Sequence, residues 1–321
     1  MAELPVTPTT VGATTQIGGV TVRNVAFDNQ GIAMSGNVYL PRGFNAKRKY
    51  PAIVVVHPGG GVKEQTAGLY ALKMAEQGFV ALAFDAAHQG ASGGLPRFLD
   101  DPAKRIVDFY SAVDYVVTLP FVDDARLGAL GVCAGSGITV KASMTDRRIK
   151  ALAIVSGIDS GAAARQGWEG NSPASAMLET LENVGKQRSA EADGAAPVYV
   201  NYVPAVGDTS QPRDLQEAAD YYLTDRGRYP TSTNQMLMTS ISHGMAFRAF
   251  DGADTLITQP LLMIAGSEAG SLWHSKELHA EAASRDKELF IIPGATHMDL
   301  YDGPGAETAA RKLAPFFNSK L

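Results

Sequence analysis

The stretch Gly131-Val132-Cys133-Ala134-Gly135 decides the fold of this chain. It joins a small, apolar run at 127–132, suited to a strand buried on both faces, to residues 136–144, which suit a helix. Glycines two positions before and two positions after the central residue allow a sharp turn, which holds that side chain at the helix N-terminus. The pattern therefore predicts a strand-turn-helix elbow that presents a cysteine.

A cysteine in this position is suited to act as a nucleophile. The helix dipole favours its thiolate, so the pKa of the thiol is expected to be lowered, and the N–H of Ala134 can face a developing oxyanion. The alternative is an inert thiol, since a lone cysteine is commonly a small core residue. The rest of the chain has to decide between the two interpretations.

Apolar runs alternate with amphipathic helical patterns on both sides of the elbow. This alternation predicts an α/β protein with a doubly wound, mostly parallel sheet, whose site lies at the carboxyl ends of the strands. The predicted strands are 51–56, 79–84, 127–132, 149–155, 260–265 and 288–293, and the predicted helices are 64–77, 101–119, 136–144, 276–284 and 307–318.

Two regions depart from this alternation. Residues 20–28 and 32–40 alternate apolar and polar side chains around Asn29-Gln30-Gly31, which predicts an antiparallel hairpin at a sheet edge. Residues 159–257 are rich in aromatic side chains but have no regular period, which predicts a cap inserted over the strand ends. We therefore divide the chain into a loose arm at 1–18, a core at 19–158 and 258–321, and a cap at 159–257.

Composition excludes several classes of function. A net charge of −5 leaves no basic footprint for nucleic acid, and a single cysteine excludes an internal disulfide or a multi-cysteine metal site. We find neither a signal peptide nor an apolar run long enough for a membrane span. We expect a soluble cytoplasmic protein with a small-molecule substrate, no cofactor, no metal and no membrane partner. A homo-oligomer is compatible with the sequence.

A glycine-rich loop follows the first strand of the parallel series. In His57-Pro58-Gly59-Gly60-Gly61 the glycines let backbone N–H groups approach a ligand closely, so Gly59 and Gly60 are candidates for the second half of an oxyanion hole. A plain glycine-rich connection is the alternative. His57 lies next to this candidate site.

A base and an acid are expected in loops at the same edge of the sheet. His297 directly follows the last predicted strand and is the candidate base. The acid is expected after the strand that ends at Gly266, which indicates Glu268. Two alternatives stay open: Asp159, after the preceding strand, or a dyad that lacks an acid.

These motifs resemble the α/β-hydrolase superfamily, and within it the dienelactone-hydrolase-like branch with its Gly-x-Cys-x-Gly elbow. The resemblance covers about 20–157 and 258–318, including the turn from Asp85 to Ser92, in which His88 replaces a glycine. It implies Cys133 as nucleophile, His297 as base, and N–H groups of Ala134 and the Gly59-Gly60 loop as oxyanion donors. Members of the superfamily usually have their acid at the position of Ala269. Glu64 and Trp273 are further residues expected near the site.

The expected activity is hydrolysis of a carboxylic ester, lactone or related acyl bond through a thioester on Cys133. Two alternatives remain. An alcohol or amine could intercept the same thioester, which would make the protein an acyltransferase, or the fold could bind a small ligand without catalysis.

Overall fold

The computed structural model describes residues 11–321. In this part of the chain, nine strands form one sheet in the order β1-β2-β3-β5-β4-β6-β7-β10-β11. The first three strands and the β3/β5 pair are antiparallel, and every pair from β5 to β11 is parallel. The strands are β1 Thr14–Ile17, β2 Val20–Asn29, β3 Ile32–Leu40, β4 Tyr50–Val56, β5 Val80–Phe84, β6 Val122–Val132, β7 Ile149–Val155, β10 Leu261–Gly266 and β11 Lys287–Ile292.

Helices cover both faces of the sheet because side chains alternate along each strand. In β4, Ile53 and Val55 point to one face and Val54 to the other, and all three are buried. The doubly wound α/β fold is therefore confirmed. One face packs against α1 (Thr66–Glu76) and α10 (Gly303–Lys320), and the other against α2 (Pro102–Thr118), α3 (Ala134–Ser143) and α9 (Leu272–Glu281).

The predicted hairpin is present, but it does not form the edge of the sheet. Strand β1 pairs with β2 and adds one more antiparallel strand outside the hairpin. The prediction of a loose arm at 1–18 is therefore wrong for Thr14–Ile17, and residues 1–10 lie outside the described part. All four residues of β1 are exposed, so no apolar side chain facing the core marked this strand in the sequence.

The segment between β7 and β10 contributes no strand to the large sheet. It contains the helices α4 Ser160–Gln166, α5 Ala174–Ala192, α6 Arg213–Leu223, α7 Ser240–Ala246 and α8 Ala253–Leu256, with a small antiparallel pair of β8 Tyr199–Val200 and β9 Met236–Leu237. Across residues 11–321, no helix has both the length and the hydropathy needed to cross a bilayer.

Candidate active site

Cys133 lies at a strained turn between β6 and α3. Its backbone has φ 52° and ψ −122°, in the left-handed half of φ space that non-glycine residues rarely adopt. A Cβ at Gly131 would lie 2.5 Å from the Cα of Ser136, and one at Gly135 would lie 2.3 Å from the carbonyl oxygen of Val56. Both flanking glycines are therefore required by close packing of the backbone.

Burial controls the ionisation of the thiol. Desolvation raises the pKa of Cys133, although the Tyr301 hydroxyl, the N–H groups of Ala134 and Gly59, and the Arg105 charge all act to lower it. The expectation of a lowered pKa is therefore wrong for this geometry. Burial therefore favours the neutral form of this thiol.

The two expected oxyanion donors lie side by side. A Cβ at Gly59 would be 3.6 Å from that of Ala134, and both residues line the same cavity as Cys133. Gly60 is placed differently. Its φ is 69°, a Cβ there would lie 2.7 Å from the ring of Tyr202, and it is not among the residues that line this cavity. The geometry thus places Gly59, and not Gly60, beside Ala134.

His297 lies in the same cavity, on the loop after β11, and is 1% exposed. Its Nδ1 is 2.6 Å from Oγ of Ser271, and its Nε2 is 3.5 Å from the hydroxyl of Tyr301. No hydrogen bond between the imidazole and the Cys133 thiol is present among residues 11–321. The Tyr301 hydroxyl lies between them: it is close to Nε2 of His297, and its hydrogen bond to the thiol acts to lower the pKa of Cys133. Catalytic hydrogen bonds are often long in free enzymes and shorten when substrate binds.

Burial favours the neutral form of the His297 imidazole. Desolvation lowers the pKa of His297 to about 4, and the carboxylate of Asp214 opposes this shift. Asp214 lies in the first turn of α6 and is 3% exposed. Its Oδ1 accepts the backbone N–H of His297 at 3.3 Å, and its Oδ2 accepts the N–H of Gly270 and the indole N–H of Trp168, both at 2.8 Å.

Neither candidate acid contacts the imidazole, which corrects the choice of Glu268. That side chain is exposed, and its Oε1 accepts a hydrogen bond from Ser267 at 3.2 Å. Asp159 is buried, but it caps α4 by accepting the N–H groups of Gly161 and Ala162, and its other oxygen accepts the N–H of Ala249. The hydroxyl of Ser271 takes the place beside Nδ1 where the acid was expected.

The three residues expected near the site surround it without lining the cavity. His57 is fully buried, and its Nε2 accepts the N–H of Ala86 while its Nδ1 is 2.6 Å from the carbonyl oxygen of Pro58. Glu64 pairs with Lys63 at 2.7 Å. Trp273 stacks on His274 and donates its indole N–H to the carbonyl of Trp168.

The cavity measures about 240 Å³ and has two sources of lining. The core contributes Cys133, His297 and Gly59, and the segment after β7 contributes mainly apolar groups such as Trp168 and Leu215.

No cluster of three His, Cys, Asp or Glu side chains able to hold a metal occurs in residues 11–321. Sequence reasoning missed Ser271, Asp214, Tyr301 and Arg105; only Tyr301, one helical turn after His297, had a positional signal.

Comparison with known proteins identifies the family. A family model described as serine aminopeptidase, S33, matches residues 48–303. The chain belongs to this family of α/β hydrolases. In this member, the residue at the elbow is Cys133.

Two relatives resemble this S33-family chain over most of its length. It is 42% identical to the uncharacterized protein YcjY of Escherichia coli over 295 residues, covering 92% of this chain and 96% of the relative. The crystal structure of hypothetical protein PA2218 from Pseudomonas aeruginosa has a TM-score of 0.87 and 34% identity, covering 100% and 99% of the two chains.

A more distant relative has a name that states a reaction. The chain is 26% identical to polyketide transferase grgF of Penicillium over 274 residues, covering 84% of this chain and 88% of the relative. The crystal structure described as the α/β hydrolase GrgF has a TM-score of 0.76 at 22% identity, covering 94% and 99% of the two chains.

Proposed function

We propose that this protein is an acyl hydrolase with the chemistry of dienelactone-hydrolase-like enzymes, in which Cys133 attacks the carbonyl of an ester, lactone or thioester. The observation that carries the proposal is the strained elbow, which exposes the thiol to a cavity shared with two adjacent backbone donors and a neutral histidine. Strained backbone conformations at non-glycine residues cluster at active sites.

The reaction proceeds in two halves. His297 takes the thiol proton by way of the Tyr301 hydroxyl, which lies between the two groups, while Sγ attacks the carbonyl carbon. The N–H groups of Ala134 and Gly59 donate hydrogen bonds to the resulting oxyanion. The tetrahedral intermediate collapses to a thioester as His297 gives the proton to the departing alcohol or thiol. Water then attacks the thioester with His297 as base, which releases the acid and restores the thiol.

Acyl transfer is the second candidate function, because a relative at 26% identity is named a polyketide transferase. The site also limits access of water, since His297 is 1% and Cys133 8% exposed. An alcohol or amine that enters the cavity would compete with water for the thioester. Product analysis with and without such an acceptor separates hydrolysis from transfer.

The proposal is tested by replacing Cys133 with Ala and with Ser and assaying a panel of p-nitrophenyl esters, lactones and acyl thioesters. We expect turnover to fall to background in Cys133→Ala, because the group proposed to form the acyl-enzyme is removed. Mass spectrometry of the wild type should find the acyl group on Cys133. Full activity in Cys133→Ala with unchanged thermal unfolding overturns the mechanism.

The single cysteine permits a check that needs no substrate. Iodoacetamide can label only Cys133, so its rate reports the reactivity of this one thiol. A non-catalytic, inert thiol should be labelled more slowly than the same cysteine in unfolded protein at equal pH. Faster labelling in the folded protein than in the His297→Gln variant supports base activation.

A further inference from the structure

Arg105 is a buried charge in the wall of the candidate active-site cavity. It lies in the first turn of α2, is 5% exposed, and lines the cavity together with Cys133 and His297. The neighbouring Lys104 on the same helix is exposed. Arginine is rarely this buried unless it is paired with an anion.

Arg105 forms no ion pair with another described side chain, although its charge acts to lower the pKa of the buried Asp108 on the same helix. Within residues 11–321, no carboxylate lies within ion-pair distance of the guanidinium. The Nη2 atom of Arg105 donates to the carbonyl oxygen of His57 at 2.6 Å and is 3.5 Å from Nδ1 of that residue. Its Nε and Nη1 have no acceptor in the same part of the chain, although a guanidinium offers five N–H donors.

The carboxylate that shares the cavity does not lie within ion-pair distance of Arg105. Asp100 also lines the wall, but its Oδ2 accepts the hydroxyl of Tyr202 at 2.9 Å. The rest of the lining is mostly apolar, for example Ile138, Ile158 and Val203, with hydroxyl side chains at Ser160 and Ser240. A charge left unpaired in such surroundings is costly, so the free donors of Arg105 are suited to an anion that arrives with the ligand.

We propose that Arg105 binds a carboxylate carried by the acyl group, so that the preferred substrate is a monoacyl derivative of a dicarboxylic acid, such as a succinyl or glutaryl thioester or ester. This inference rests on the proposed acyl hydrolysis at Cys133. One small cavity holds both the nucleophile and the cation, so the carboxylate and the reacting carbonyl belong to one short molecule. A bidentate pair would orient that molecule for attack.

The test compares two substrates that differ in one charge: the N-acetylcysteamine thioester of succinate and the same thioester with its free carboxylate methylated. We expect wild-type kcat/KM to favour the carboxylate by at least about tenfold, as a hydrogen-bonded charge would give. Arg105→Gln should lower kcat/KM for both substrates, because the Arg105 charge also acts to lower the pKa of the Cys133 thiol, but it should lower it further for the carboxylate, so that the preference is lost. Arg105→Lys should retain part of the preference. Lys104→Gln, which removes an exposed charge from the same helix, is the matched control.

Three outcomes overturn the inference: a wild type that prefers the methyl ester, an Arg105→Gln variant that loses activity equally on both substrates, and a Lys104→Gln variant that matches it. The second would show that Arg105 only holds the loop at His57. If the wild type cleaves neither compound, protection of Cys133 from iodoacetamide is measured instead. Protection by butyrate but not butyramide, lost in Arg105→Gln, supports the anion site although hydrolysis has failed; equal protection by both overturns it.

Discussion

The sheet and the segment inserted between β7 and β10 contribute to the candidate site in different ways. The sheet presents the groups proposed to react, with Cys133 after β6, Gly59 after β4 and His297 after β11. The inserted segment presents groups that surround and position them, among them Asp214 and Trp168. In this molecule the core carries the groups proposed to react, and the inserted segment forms much of the surroundings of His297.

The two acids Glu268 and Asp214 show this division most directly. Glu268 follows β10, where the sheet order predicts an acid, yet its side chain is exposed and bonded to Ser267. Asp214 comes from the insertion, yet it is buried, it holds the His297 backbone, and its charge opposes the lowering of the pKa of the imidazole. The carboxylate that acts on His297 therefore lies on the inserted segment and not after β10, where the sheet order predicts it.

The largest effect that tests this comparison is expected from Asp214→Asn. The change removes a buried charge and places an amide where three N–H donors converge on the carboxylate, so the loops carrying His297 and Gly270 should shift. We expect kcat to fall about ten- to a hundredfold with a smaller change in KM, since each factor of ten corresponds to about 1.4 kcal/mol. Steady-state kinetics on the best substrate of the panel measure it.

Glu268→Gln is the matched control for that variant, because it removes a carboxylate from the position that the sheet order favoured. Its kcat should stay within about twofold of the wild type, as expected of an exposed substitution. The pH profile separates positioning from general destabilisation: the acid limb should move to lower pH in Asp214→Asn, since the charge that opposes the lowering of the His297 pKa is gone. Equal losses in the two variants contradict the assignment.

A smaller effect is expected from Ser271→Ala. Ser271 is at the N-cap position of α9, yet its hydroxyl caps no helical N–H and instead lies 2.6 Å from Nδ1 of His297. Removing it leaves a buried ring nitrogen without a partner, which costs about 1–3 kcal/mol when fully unmet. Because Asp214 still holds the loop, we expect kcat to fall by about five- to tenfold. Ser271→Thr, which keeps the hydroxyl, should recover most of the activity; no recovery would mean that packing is responsible.

The features predictable from the sequence are those controlled by local periodicity. The alternating apolar runs located the strands of the parallel sheet, and the glycines around Cys133 located the turn. The position of His297 followed from the rule that strand ends meet at one edge of an open sheet. These inferences needed only neighbouring residues and the handedness of the connections.

Contacts between distant segments were not predictable in this way. Asp214 and Gly270 are 56 residues apart, and nothing near Asp214 in the sequence signals that its carboxylate faces the loops after β10 and β11. Arg105 could be recognised as part of a helix, but its burial without a carboxylate is visible only when the cavity is assembled. Strand β1 was missed because its side chains are all exposed.

The smallest effect is expected from the ionisation of His297 as the pH falls. Burial lowers the pKa of this imidazole to about 4, below the unfolded value of about 6.5, so the unfolded chain binds more protons between these two values. The stability from keeping the ring neutral is complete above pH 6.5 and is lost as the pH falls towards 4. His297→Gln removes this dependence, so the free energy of unfolding of the wild type should decline relative to the variant by about 1 kcal/mol at pH 5.5. Urea unfolding at pH 7, 6 and 5.5 measures the difference; parallel curves would mean that His297 is solvated and that the insertion does not close over the base.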